Sequence, residues 1–130
     1  MKSFLIAVFS AVCTLNALEV SEQNLRFHFD EKSGVKTLSH NNAVLRLADV
    51  EIIIDGEARA LKLQRLGWNW DDAARVFTQE YAAGQLGVRE SIGFANGFVS
   101  RQAELRPSPD MAGPIKLKSV AFPSVINFKG

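Results

Sequence analysis

The sequence predicts an all-β protein, an antiparallel β-sandwich, and three observations carry that expectation. Apolar side chains recur at every second position from Leu25 onward, turn dipeptides punctuate the chain at short intervals, and no long amphipathic helix pattern occurs. A two-residue repeat sends alternate side chains to opposite faces, so each run builds one greasy and one wet side. About eight to ten short strands joined by turns suit stacked antiparallel sheets better than a parallel α/β fold, whose strands are linked by helices.

Composition sets the outer bounds. The 130 residues are 47% hydrophobic and 22% charged, close to the globular average and unlike a disordered tail or a membrane protein. The formal charge is +1, and without Lys2 the basic side chains equal the 14 acidic ones. Acids and bases alternate along the chain, with no basic cluster to neutralise phosphates, so nucleic acid is excluded as an expected partner.

The first 17 residues read as an export signal. Lys2 precedes an apolar run from Phe4 to Leu15, shorter than the roughly 20 residues a spanning helix needs, and Ala17 offers a small residue for cleavage. Leu15 is bulky for a position two residues before a cleavage site, which leaves an uncleaved anchor or a buried helix as alternatives. Cys13 raises a lipoprotein signal, but Val12 stands where a Gly, Ala or Ser is wanted. The expectation is therefore a signal peptide over 1–17 and a secreted or periplasmic β-sandwich domain over 18–130, with no membrane attachment after cleavage. Cys13 is the single cysteine, so the processed chain has neither a disulfide nor a thiolate metal site.

Along that domain, Leu25, Phe27 and Phe29 alternate with Arg26, His28 and Asp30 as a half-buried strand, and Glu31-Lys32-Ser33-Gly34 supplies turn chemistry. A short strand through Val35 and Leu38 returns to the polar turn Ser39-His40-Asn41-Asn42. The long apolar run Ala43–Ile54, with Asp49 near its middle, is one bent strand or two, closed by the hairpin dipeptide Asp55-Gly56. Leu61 and Leu63 predict a following strand, and Gly67 to Asp72 breaks the pattern, with one helical turn expected over Asp71–Arg75.

Strands resume over Val76–Tyr81 and Gly87–Phe94, the latter placing Val88, Glu90, Ile92 and Phe94 on one face. Asn96-Gly97 is the strongest hairpin signal, because a type I′ turn needs positive φ at both central residues. Its partner strand begins at Phe98, with Val99, Ala103 and Leu105 on the apolar face and Arg101 as the exception there. Pro107, Pro109 and Gly113 mark a loop. From Ile115 to Phe122 the apolar phase slips by one residue, which predicts a bulge near Ser119. The apolar run Pro123–Gly130 is strand-like and, lacking a polar tail, is read as the edge of a larger, incomplete domain.

No catalytic signature is present: neither a Gly-x-Ser-x-Gly elbow, nor a phosphate loop, nor a His-Glu-x-x-His helix. No catalytic, cofactor-binding or metal-ligating residue is assigned, and no cofactor is expected. His28 and His40 read as solvent-exposed. Arg89, Arg101 and Arg106 are expected to pair with Glu90 or Glu104 across the sheet. Asp71 and Asp72 are adjacent, and neighbouring strand residues face opposite ways, so they read as loop or capping residues rather than a hydrolytic pair.

Trp68 and Trp70 project from one side of an extended chain and have two readings. They cover the edge of the core, or they form a flat platform for sugar rings, with Asn69, Asp71 and Asp72 supplying hydrogen bonds. The candidate carbohydrate-binding set is thus Trp68, Trp70, Asp71 and Asp72.

The succession Leu25–Asp30, Ser33-Gly34-Val35-Lys36-Thr37-Leu38 and the apolar run ending Ile54-Asp55-Gly56 resembles the opening strands of the galactose-mutarotase-like β-sandwich. Phe98–Leu105 and Ile115–Pro123 look like that domain's middle strands. This domain precedes the catalytic barrel in many secreted glycoside hydrolases. The resemblance implies a non-catalytic segment that supports a catalytic domain located downstream and has carbohydrate as the parent enzyme's partner. The alternatives are a self-contained exported carbohydrate-binding protein and a structural envelope protein.

Overall fold

Two-residue alternation does give strands, and they assemble only where turn chemistry allows the chain to reverse. The computed structural model describes residues 9–13, 17–107 and 116–128. Among them lie twelve strands and no helix, with every strand pair antiparallel, so the fold is all-β with the antiparallel pairing of a β-sandwich. The chain divides into two units, residues 1–48 with 123–130, and residues 49–122.

The first unit holds β1 (Phe9–Cys13), β2 (Ala17–Glu22), β3 (Leu25–Asp30), β4 (Lys36–His40), β5 (Ala43–Leu47) and β12 (Ser124–Phe128) in one six-stranded sheet. The sheet order is β1-β2-β3-β4-β5-β12. Of the expected leader, residues 1–8 and 14–16 lie outside the described residues, while Phe9–Cys13 pairs with β2. Leu18, Val20, Phe27, Phe29 and Leu47 are buried on one face, as the alternation requires. Lys36 is buried in register between Phe29 and Leu47, and every buried side-chain nitrogen and oxygen among the described residues has a partner.

The turn after β3 is closed by its own side chains. Ser33 Oγ donates to Asp30 Oδ2 at 2.8 Å and Lys32 N–H donates to Asp30 Oδ1 at 3.3 Å, which holds the Asp30 carboxyl below its ordinary range. Gly34 takes φ 75°, the positive value expected of it.

The second unit holds β6 (Glu51–Ile54), β7 (Gln64–Asp71), β8 (Val76–Ala83), β9 (Leu86–Ala95), β10 (Phe98–Pro107) and β11 (Leu117–Ala121). A four-stranded sheet β10-β9-β8-β7 and the pair β11-β6 share one core of Val50, Ile52, Tyr81, Ala83, Leu86 and Val88, flanked by Leu61, Leu63, Ala103 and Leu105. Asn96 and Gly97 have φ 52° and 79°, so both central residues of the β9–β10 turn take the expected positive values. The slip before Val120 is a bulge, with the β6–β11 register shifting between Leu117 and Ser119.

Of the two readings of Ala43–Ile54, the second holds: it is two strands in different sheets, β5 pairing with β4 and β12 while β6 pairs with β11. Three expectations need correction. Asp55-Gly56 closes no hairpin, and Leu61 and Leu63 form no strand: β6 pairs with β11 instead, and Leu61 gives only one backbone bond to it, N–H to Ile52 O at 2.8 Å. The Gly67–Asp71 stretch belongs to a strand, β7, that is bulged at Leu66-Gly67, and residues 72–75 form the hairpin loop between β7 and β8 instead of a helical turn. Pro107 is the last residue of β10, in register with Leu86; Pro109, Gly113 and Ile115 lie outside the described residues.

Candidate functional site

The candidate residues sit on β7 and the loop that follows it. In β7, Leu66 and Gly67 together face the single residue Glu80 of β8, because the register runs Arg65↔Tyr81 and then Trp68↔Gln79. Such a bulge leaves a backbone group without its ladder partner, and here the buried Gln79 amide supplies the bond, Nε2 donating to Gly67 O at 2.9 Å. The bulge also moves the apolar phase from the odd positions Leu61 and Leu63 to the even positions Trp68 and Trp70.

Both indoles therefore lie on the side of β7 that faces Phe77 and Phe94. The Trp68 ring is 6.1 Å from that of Phe77 at 32°, and Trp70 is 6.0 Å from Phe94 at 60°, edge to face. Each Trp is half-buried, while Phe77 and Phe94 are buried. Trp70 Nε1 donates to Asp72 Oδ1 at 3.2 Å, so the structure brings these two candidates together. Asp71 is turned to the loop backbone: its Oδ1 accepts the N–H groups of Ala73 and Ala74, each at 3.1 Å. Trp68 thus meets the core, Trp70 meets both the core and Asp72, and Asp71 organises the hairpin.

Beside the bulge lies a groove of about 460 Å³ lined by Gly67, Trp68, Asn69, Thr78, Glu80 and Arg89. Arg89 Nε donates to Glu80 Oε2 across β8 and β9, and this partner raises the guanidinium's pKa. Glu104, in register with Arg89 on β10, adds to that rise and also binds Arg106 at 2.8 Å along its own strand, while Glu90 pairs with Arg101 across the sheet, as expected.

A polar network that no local motif signals lies inside the unit. Glu90 is fully buried; its Oε1 accepts from Tyr81 Oη–H at 3.1 Å and its Oε2 from Arg101 Nε. The Tyr81 hydroxyl also lies 3.3 Å from Oδ1 of the exposed Asp49, and one phenolic proton is shared between the two carboxylates. Burial, joined by these two negative neighbours, pushes the Tyr81 phenol far above its ordinary pKa, so it remains a donor. The Arg101 guanidinium sits 5.2 Å over the Phe122 ring. The pairing was legible only for Arg101 with Glu90, since Asp49 is 32 residues from Tyr81.

His28 is half-exposed and lies 3.7 Å from Glu19, and His40 is exposed beside Asn41. Among the described residues no group of three His, Cys, Asp or Glu side chains is placed to hold a metal ion, and no helix is long and apolar enough to cross a membrane.

No protein-family model, no curated protein and no solved structure matches this chain. The galactose-mutarotase-like resemblance accordingly rests on the strand pattern alone.

Proposed function

We propose that this chain is a non-catalytic β-sandwich segment of a secreted carbohydrate-active enzyme of the glycoside hydrolase kind, supporting a catalytic domain downstream. The observation that carries the reading is how the acidic side chains of the four-stranded sheet and its β7–β8 loop are engaged. Glu90 is held by Tyr81 and Arg101, Glu80 by Arg89, Asp72 by Trp70, and Asp71 by loop amides. Glycoside hydrolysis uses two carboxyl groups roughly 5–9 Å apart across a substrate cleft, one of them free to deliver a proton. Acids tied into a sheet in this manner suit a scaffold.

The leader pattern of residues 1–17 supports export, and cleavage after Ala17 leaves Leu18–Glu22 paired with β3 while removing β1. The Trp68–Trp70 pair and the strand succession support the link to carbohydrate.

The expected result is that the purified chain releases no reducing ends from a panel of soluble polysaccharides, whereas the parent polypeptide with its downstream sequence does. Hydrolysis by the chain alone contradicts the reading.

A second reading, a self-contained carbohydrate-binding protein, is favoured by the groove beside Trp68. It predicts a saturable change in tryptophan fluorescence on adding oligosaccharide that Trp68→Ala reduces at least about tenfold in affinity, as expected when one stacking ring is lost. An unchanged titration for Trp68→Ala removes its support.

A further inference from the structure

The two hairpins of the first unit end side by side. Glu22 pairs with Leu25 and His40 with Ala43, so each hairpin closes through a two-residue turn, Gln23-Asn24 and Asn41-Asn42. Leu25 is in register with His40, which brings both turns to the same end of the sheet. Gln23 and Asn41 each take φ 53°, a left-handed value to which amide and Asn residues are suited in tight turns.

On the face of the sheet opposite Phe27 and Phe29, one row crosses three strands at this end: Ser21 lies in register with Arg26, and Arg26 with Ser39. Together with Gln23, Asn24, Leu25 and Asn41 they line an open cavity of about 400 Å³. Among the described residues its lining has one cation, no acid, two hydroxyls, the amides of Gln23, Asn24 and Asn41, and one apolar side chain, Leu25. Arg26 is exposed, and among the described residues no hydrogen bond or ion pair engages it. Glu19, the acid in the next row on that face, lies 3.7 Å from His28 Nδ1.

We infer that this row and its two turns form a binding site for a carboxylate-bearing sugar, a uronic acid unit of an acidic glycan. The inference deepens the carbohydrate reading and rests on it. A guanidinium presents a planar fork of N–H donors that matches a carboxylate in a two-point contact. Hydroxyls and side-chain amides both donate and accept, which is what ring hydroxyls beside that carboxylate require. A single cation among neutral groups balances a monoanion, whereas a doubly charged phosphate calls for more positive charge. The volume lies within the roughly 300–1,000 Å³ of small-ligand sites. All seven lining residues follow Ala17, so a chain cleaved there keeps the site.

The test is a titration of the whole chain, followed by NMR shifts of the Arg26 Nε–H and the Asn41 amide, with digalacturonate, its neutral counterpart digalactose, acetate and inorganic phosphate. Digalacturonate is expected to shift both signals saturably and to bind at least about tenfold more weakly to Arg26→Met, the loss of one charge-assisted contact. Its affinity is also expected to fall as salt is added, because the site is open to solvent. Digalactose and acetate are expected to bind far more weakly, each lacking one half of the recognised group.

No binding of digalacturonate, or binding that Arg26→Met leaves unchanged, overturns the inference. Phosphate or acetate binding as tightly as digalacturonate overturns it too, by showing a simple anion site. A response of Trp68 fluorescence to digalactose with no shift at Arg26 sinks this site while leaving the carbohydrate reading standing. Silence of both probes toward every sugar sinks this site together with the carbohydrate-binding reading, while the scaffold reading is decided by the hydrolysis test.

Discussion

Arg101→Met is expected to destabilise the second unit by about 3–5 kcal/mol, the cost of leaving a buried charge without its partner. The side chain of Arg101 is 12% exposed and that of Glu90 0%, so neither end of the pair is hydrated enough to recover the loss from water. Removing the guanidinium strips Glu90 Oε2 of that donor, while Oε1 shares the Tyr81 proton with Asp49. The contact over Phe122 goes with it, worth about 0.5–1 kcal/mol at a partly exposed ring. Both tryptophans lie on β7 of this unit, so urea unfolding followed by tryptophan fluorescence reads the effect directly. The double variant E90M/R101M is expected to be less destabilised than R101M, because an apolar pair of similar volume has no charge to strand. If R101M unfolds within about 1 kcal/mol of the parent, the pair is behaving as a surface bridge and the interior placement of Glu90 is wrong.

In the first unit the largest expected loss comes from Phe27→Ala, about 3–5 kcal/mol. Phe27 is fully buried and lies in register between Val20 on β2 and Leu38 on β4. Truncation removes the whole ring from the middle of the sheet's apolar face, and neighbouring strands held by their ladders cannot close the void. Phe27→Leu, which keeps most of the volume, is expected to lose less than about 1.5 kcal/mol. The neighbouring Arg26→Met, on the exposed face, stays within about 0.5 kcal/mol of the parent. Urea unfolding followed by far-ultraviolet circular dichroism separates the three, and equal midpoints for Phe27→Ala and Arg26→Met contradict the assignment of faces.

Much of the fold is written in local alternation. Leu25–Asp30, Leu86–Ala95 and the Asn96-Gly97 turn follow from two-residue periodicity and positive-φ chemistry, both of which a few adjacent residues decide. The Ser119 region was legible as a bulge because the apolar phase visibly slips there. The same slip occurs between Leu63 and Trp68, yet with Leu66 and Gly67 in between it reads as a broken pattern instead of a bulged strand. Its stabilising contact, Gln79 to Gly67, is 12 residues away. The split of Ala43–Ile54 was likewise not decided locally, since strand partners are chosen by distant segments: β12 for β5 and β11 for β6.

The candidate site shows the same division. That Trp68 and Trp70 share one side follows from their spacing, but which side they share depends on the bulge. That Asp71 serves the loop follows from its position ahead of a hairpin, and its bonds to Ala73 and Ala74 are of the kind such a position allows. The Tyr81–Glu90–Arg101 network needed the registers of β8, β9 and β10 before its members could be seen to meet. Arg26 attracts no notice in the sequence, where it is one polar residue in an alternating strand. Its setting between Ser21 and Ser39 emerges from two registers at once.

Everything said of the second unit depends on how β7, β8, β9 and β10 are aligned. Cross-strand proton contacts measured by NMR test that alignment most directly, along the row Asn69, Thr78, Ser91 and Gln102. The alignment predicts backbone contacts between each successive pair in this row, which keeps Tyr81, Glu90 and Arg101 on the opposite, inner face. Contacts displaced by one residue on any of these strands, or the sequential pattern of a helix, contradict it.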